Sequence, residues 1–393
     1  MFINLSYKKK ILENFILVSF NGIVNILIIF LLTDYLVKED FAKYFVFLSF
    51  SNISIIFCTL SMEKNFPSLN RDDVIQNLIL ITISIIVIST TLSLLFFYLE
   101  TEFNHFYFLI FIISESINKI FHFLYIRLIN VKNSLLTILI SSIFYFLIII
   151  YFNHNLDYEL ILNLALLVSL SKLFIYIFQV WSYKNHSNVK LKLNLNYSHL
   201  NYEKIKFFKS DLLLSLTTNL PLIIVSYFNI SIAANLALSL KILNTPFQFI
   251  SKPIGEFFFE LKSEIYRTNS NEKLIKITSL NILILTLILL FFLVLSILFF
   301  WDVLFGNDWQ NAKNYTLILL FPFSIWYVIN PLNNIYFILG KSKELFFFQL
   351  LAFFSICIPL LFIDIINFNI ILFIVAIMLF LRNFFMYKYI SKF

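Results

Sequence analysis

Twelve apolar runs, each about the length needed to cross a bilayer, are joined by short connections, and Lys and Arg crowd into every second one. Of the 29 Lys and Arg, 23 fall in the termini and even-numbered loops, three in or beside the odd-numbered loops, and three deep inside the runs. This is the positive-inside pattern of a multi-pass membrane protein with both ends in the cytoplasm. Each connection is thereby assigned a side, which limits the chemistry its polar groups can meet.

Composition agrees, because 60% hydrophobic and 13% charged residues cannot be packed into a soluble globule of 393 residues. The net charge of +7 follows the loops and does not gather in one groove or tail, so it orients the chain and does not mark a nucleic-acid site. Cys58 and Cys357 stand singly in apolar runs, which supports neither a disulfide nor a metal centre. The 51 Phe are shared out along the whole chain, and a single Phe says little about function.

The expected architecture is all-α, a polytopic membrane protein of about 12 transmembrane helices in two six-helix bundles around a central cavity. The first bundle, 1–181, holds spans at Ile11–Leu32, Phe41–Leu60, Val74–Leu99, Phe103–Ile129, Leu135–Phe152 and Leu160–Trp181. A basic cytoplasmic linker, 182–209, follows. The second bundle, 210–393, holds spans at Leu212–Ile230, Ala233–Ile254, Leu274–Phe300, Tyr315–Leu339, Leu345–Ile363 and Phe368–Tyr387. The N-terminal Lys8-Lys9-Lys10 and the run after it resemble a signal peptide, but Glu13 and the lack of a small-residue cleavage site predict that the segment is retained. Equal halves suggest a duplicated bundle. Asn25 and Asn52 in spans 1 and 2 are echoed by Asn219 and Asn244 in spans 7 and 8.

Charges inside the spans are where function is expected, since each costs about 2.5–3.5 kcal/mol at the bilayer centre and so faces protein or water. In span 4, Glu115, Lys119 and His122 fall at i, i+4 and i+7, with Arg127 nearer the inner boundary. Either Glu115 and Lys119 neutralise each other between packed helices, or the stripe lines a cavity where Lys119 and Arg127 meet an anionic substrate. In the second case Glu115 or His122 titrates during transport. Span 6 carries Ser169, Lys172, Tyr176 and Gln179 on one face, and span 8 carries Lys241, Asn244 and Gln248 above Lys252. Neither lysine has a carboxylate on its own helix. Three deep lysines against one deep carboxylate predict a cationic cavity suited to phosphate groups. Glu13, Glu115 and His122 are candidates for ion coupling.

Pro221, after Thr217-Thr218-Asn219, removes a backbone hydrogen bond from span 7 and predicts a bend. Gly22 and Asn25 in span 1 form a second candidate hinge. Trp301 and Trp309 beside the outer boundary, and Trp181 beside the inner one, are expected to anchor the protein at the interfaces. No phosphate-binding glycine loop, HExxH or long outer loop is present, so no enzymatic activity, cofactor or metal is expected. Transport must draw on an ion gradient, the membrane potential or a downhill substrate.

The run Ala237–Pro246 continuing to Pro253, Glu256, Glu260 and Glu264, and the outer turn Leu304–Ala312 followed by Pro331 and Gly340-Lys341-Ser342-Lys343, resemble bacterial polysaccharide flippases. Lys10 to Asn25 and Phe41 to Asn52 are similar to that family's first two helices. These are the O-antigen and capsule repeat-unit flippases of the multidrug/oligosaccharidyl-lipid/polysaccharide exporter superfamily. The resemblance implies a bacterial inner-membrane flippase of O-antigen, lipopolysaccharide or capsule assembly. Such a protein moves an undecaprenyl-diphosphate-linked oligosaccharide from the inner to the outer leaflet by alternating access, with Lys119, Lys172 and Lys241 as its cationic lumen. It also implies membrane lipids, a glycan polymerase and a chain-length regulator as partners, and no nucleic acid. A drug or metabolite antiporter of the same fold and a membrane-embedded glycan polymerase are the rival readings.

Overall fold

The computed structural model describes residues 5–63, 71–98, 104–128, 131–153, 156–186, 208–246, 288, 291–292, 294–296, 298–332, 336 and 341–390. Among them the backbone is helical throughout, with turns between, as a chain that must bond its own amides in hydrocarbon requires. The helices are α1 (Leu5–Tyr35), α2 (Lys38–Thr59), α3 (Arg71–Tyr98), α4 (His105–Leu128), α5 (Val131–Tyr151), α6 (Tyr158–His186), α7 (Phe208–Phe228), α8 (Ile230–Pro246), α9 (Gln310–Leu332), α10 (Ser342–Leu360) and α11 (Phe368–Ile390). Ten helices among the described residues are long and apolar enough to cross a membrane, and Ile230–Thr245 is a shorter apolar helix. Most of the expected span Leu274–Phe300 lies outside the described residues.

Two compact units form, and each takes in residues from both halves of the chain. Unit 1 comprises 1–45 and 220–393, and unit 2 comprises 46–219. The division therefore falls within α2 and within α7, in the latter between Asn219 and Leu220, directly before Pro221.

Unit 2 is built around α4. Phe47 of α2 packs its ring on Phe108 and Phe111, while Glu63 just beyond the end of α2 reaches Lys119 farther along α4. On the other side, Ser114 meets Ser169 of α6 and Tyr125 meets Tyr176. The order of these pairs makes α2, α4 and α6 run in the same direction, as alternate crossings of one membrane must.

Unit 1 shows the same register between α9 and α11, where Tyr315 packs on Phe368, Phe321 stacks on Phe380, and Asn383 Nδ2 donates to the carbonyl of Pro322. Arg382, within the expected span Phe368–Tyr387, is only 5% exposed. Its Nε, Nη1 and Nη2 donate to the Phe348 carbonyl, Asn383 Oδ1 and Gln349 Oε1, and its guanidinium lies 5.2 Å from the Trp326 ring centroid. A planar fork of donors can tie three helices together where an ammonium could not.

Trp301 and Trp309 also depart from expectation, being 1% and 3% exposed. Gly306, at φ +68°, ends one helix and turns the chain into the 3₁₀ turn Asn307–Trp309, which brings the two indoles together. Trp301 Nε1 donates to the Trp309 carbonyl. Phe41 packs edge-on against Trp309, Phe305 lies between Trp301 and Phe30, and Lys38 donates to the Asp308 carbonyl beneath its contact with the Trp309 ring. The corner between α1 and α2 thus docks on this turn. The tryptophans form a packed plug and not an interfacial belt. The side chain of Trp181 is outside the described residues.

Candidate functional site

Unit 2 contains a chain of polar side chains threaded between α2, α4, α5 and α6. The lysines and the glutamate singled out from sequence are in it, but their partners differ from those expected. Lys119 does not pair with Glu115 four residues earlier. Its Nζ lies 2.6 Å from Oε1 of Glu63, a carboxylate that is 0% exposed. Glu115 turns to the other flank, where Lys172 of α6 lies 3.4 Å from its Oε2. The expected count of three deep lysines against one deep carboxylate is therefore corrected. Among the described residues of unit 2, Lys119 and Lys172 are each matched to a carboxylate on another element, Glu63 and Glu115, and a third carboxylate, Asp211 of α7, is buried as well.

The reason lies in how helices present side chains. An i, i+4 pair is worth only about 0.2–0.5 kcal/mol on a helix surface, whereas a charge enclosed between helices is far more costly when its neighbour lacks a counter-charge. Partners across the interface therefore prevail. Glu63 escaped the sequence reading because it follows the predicted end of span 2 at Leu60 and looks like a loop residue. In the structure Leu60 and Ser61 have φ of 49° and 53°, a left-handed turn that costs about 1–3 kcal/mol per residue where the residue is not glycine. That turn ends α2 and leaves Glu63 enclosed against α4. The signal available in sequence was an acid on the inner side, where basic residues dominate, immediately after a hydroxyl-bearing helix end.

Around Glu115 the network is dense. Asn118 Nδ2 donates to Glu115 Oε1 at 3.2 Å and to the Ser169 carbonyl at 3.0 Å, and the Ser114 and Ser169 hydroxyls lie 2.7 Å apart. Farther along α4, His122 Nδ1 is 2.6 Å from Ser134 Oγ of α5, and that hydroxyl is 2.9 Å from the Tyr176 hydroxyl of α6. Thr137 donates to Gln179 Oε1. Glu115 with Lys172, His122 with Tyr176 through Ser134, and Gln179 with Thr137 thus form three polar groups between α4, α5 and α6. The backbone of α4 includes Arg127, but its side chain is outside the described residues.

Lys241 belongs to unit 1 and differs in kind. It is partly exposed on α8, its Nζ stands 4.7 Å from the Phe45 ring centroid, and no carboxylate pairs with it among the described residues. An aromatic face attracts a cation but does not neutralise it. Thr245 Oγ1 donates back to the Lys241 carbonyl. Gln248 and Lys252, the lower part of that expected stripe, are outside the described residues. Glu13 is half-buried in α1 and belongs to unit 1, whereas Glu115 and His122 belong to unit 2.

The hinge candidates separate in the same way. Gly22 is buried and Asn25 half-buried within unit 1, away from either boundary between units. Asn219 and Pro221 flank the boundary in α7. Thr217, Thr218 and Asn219 donate to the carbonyls of Leu213, Leu214 and Ser215, one turn back. Asn52 Nδ2 donates to Asn219 Oδ1 at 3.3 Å, so two members of the asparagine echo meet across α2 and α7 inside unit 2.

No family model matches the chain, and no curated protein matches it in sequence. Its fold, however, is shared with solved transporters over nearly the full length of both. A MATE in complex with MaL6 is 11% identical over 98% of this chain and 96% of that one, with a TM-score of 0.71. The Vibrio cholerae MATE transporter VcmN is 11% identical over 98% and 97%, with a TM-score of 0.62. A MOP superfamily transporter from Pyrococcus furiosus is 12% identical over 98% and 95%, with a TM-score of 0.66. The chain therefore has the all-helical fold of the MATE transporters, and with it the form of a multi-pass membrane protein.

Proposed function

We propose that this protein is a flippase of the MATE fold that moves an anionic lipid-linked oligosaccharide, an undecaprenyl diphosphate carrying a glycan repeat unit, from the inner to the outer leaflet of a bacterial cytoplasmic membrane. Both termini lie in the cytoplasm in this reading, as the distribution of basic loops requires. Lys241 carries the proposal. An ammonium on a membrane-embedded helix, with an aromatic ring for company and no carboxylate beside it among the described residues, is suited to a diphosphate that neutralises it during passage. The Pyrococcus furiosus transporter, whose binding pocket is described as having reverse polarity and a different function, supports the idea that pocket polarity varies within this fold.

Lys119 and Lys172 enter as reserve cations, each held by its own carboxylate until cargo competes for it, with Arg127 nearer the inner surface. The two bundles exchange access by bending at Asn219–Pro221, where α7 passes from one unit to the other, and about Gly22 and Asn25 in span 1. Glycan polymerase and chain-length regulator act on the product outside. In a strain lacking the gene and complemented with variants, Lys241→Ala lowers surface polymer and accumulates lipid-linked glycan while the protein remains in the membrane, and Lys241→Arg restores export. Undiminished export by Lys241→Ala overturns the proposal.

The paired lysines favour one second reading, a drug or metabolite antiporter, because lysines already matched to carboxylates need no anionic cargo. Efflux of a cationic dye that depends on Glu115, with unchanged surface polymer, selects it.

A further inference from the structure

We propose that Glu63 is the carboxylate of a small monovalent-cation site in which a proton or a sodium ion exchanges with the ammonium of Lys119. The two partners of this ion pair are unequal. The Glu63 side chain is wholly enclosed, whereas the Lys119 side chain is 26% exposed. The amine can swing away and the carboxylate cannot, so whenever Lys119 leaves, another cation must take its place.

The surroundings are built for one. Among the described residues, Glu63 Oε2, Thr59 Oγ1, Ser61 Oγ, Ser116 Oγ and Asn118 Oδ1 are buried and accept no hydrogen bond. The first three sit at the end of α2 and the last two on the stretch of α4 that carries Lys119. Asn118 directs its amide nitrogen at Glu115 and at Ser169, which leaves its carbonyl oxygen without a donor. Buried oxygens without donors are unfavourable unless something positive satisfies them. A set made only of hydroxyl, amide and carboxylate oxygens suits a hard cation and not a transition metal. The left-handed Leu60 and Ser61 keep the α2 end in place.

Other titratable and charged groups near the pair are few among the described residues. They are Cys58 on α2, whose thiol faces Ser116, Glu115 on α4, Lys172 on α6, which is already matched to Glu115, and the buried Asp211 on α7, whose neighbour Phe208 packs on Phe57 of α2. Occupation of Glu63 by a cation frees Lys119. The link from that event to transport rests on the anionic-cargo reading above, because a freed ammonium is what a diphosphate requires; the cation site itself does not depend on it.

The experiment needs no cargo. Thermal unfolding of the purified protein is followed against sodium chloride, with choline chloride at equal ionic strength as control, and separately against falling pH. Lys119→Met, which strips Glu63 of its internal counter-ion, lowers the sodium or proton concentration for half-maximal stabilisation by at least about tenfold. Glu63→Gln abolishes the response. Thr59→Val with Ser116→Ala weakens a sodium response and spares a proton response, which tells the two cations apart. If Glu63→Gln does not fold, Glu63→Gln combined with Lys119→Met removes both charges together and gives the same readout. A response in these Glu63 variants equal to wild type, or no response to either cation in Lys119→Met, overturns the proposal. Intact dependence of export on Lys241 in complemented cells would leave the cargo reading standing.

Discussion

Arg382 offers the sharpest test of the packing in unit 1, because the substitution usually regarded as mild should be the worse one. Its guanidinium makes three hydrogen bonds to neutral oxygens on α10 and α11 while facing Trp326 of α9. Bonds between membrane helices are worth about 0.6 kcal/mol on average and about 1.7 at most. A charge costs about 2.5–3.5 kcal/mol at the bilayer centre, which is the upper bound for Arg382, eight residues from the end of α11. Arg382→Lys keeps the charge and retains about one of the three bonds. Arg382→Met gives up that remaining bond as well but removes the charge. The difference between the two variants is therefore the charge term less one bond, and Lys should be less stable than Met by up to about 3 kcal/mol. The assay is denaturant or thermal unfolding of detergent-solubilised protein followed by monodisperse size-exclusion signal. If Arg382→Met unfolds at or before Arg382→Lys, the buried guanidinium is not held at a net electrostatic cost and the reasoning fails.

Two further outcomes are expected. Trp309→Ala empties the centre of the tryptophan plug and should cost about 3–5 kcal/mol, with Trp309→Phe much milder; if unfolding of the Ala variant is unchanged, Trp309 is not packed as described. Pro221→Ala restores a helical hydrogen bond at the boundary between units, so it should hold or raise stability while slowing transport. Transport at the wild-type rate would show that α7 does not bend there.

Much of the fold is legible in the sequence because lipid imposes a length and basic loops impose a side. Spans such as Phe368–Tyr387, observed as Phe368–Ile390, need no knowledge of neighbours. The helices extend beyond several predicted ends, as at Lys38 and His186, because backbone hydrogen bonding continues the helix after the apolar run stops. The candidate site is legible only in part. Glu115, His122, Lys172 and Tyr176 stand out because polar groups on one face of an apolar helix require a reason. Which carboxylate serves which lysine depends on helix adjacency, and adjacency is not written in spacing along one helix. Trp301 and Trp309 mislead for a related reason. Near a span end, a tryptophan suits the interface and the interior alike, and only packing decides.

The crossed pairing of α4, with Glu63 on one flank and Lys172 on the other, bears on how such a chain is made. A nascent polypeptide meets the membrane helix by helix. When α4 arrives, the partner of Lys119 has already been synthesised but that of Glu115 has not. For the interval before α6 emerges, α4 carries an uncompensated carboxylate worth about 2.5–3.5 kcal/mol against release into lipid. A segment in that position is held at the insertion machinery or beside α2 until Lys172 follows, so the arrangement that quiets the mature protein also dictates the order in which its helices can leave the translocon.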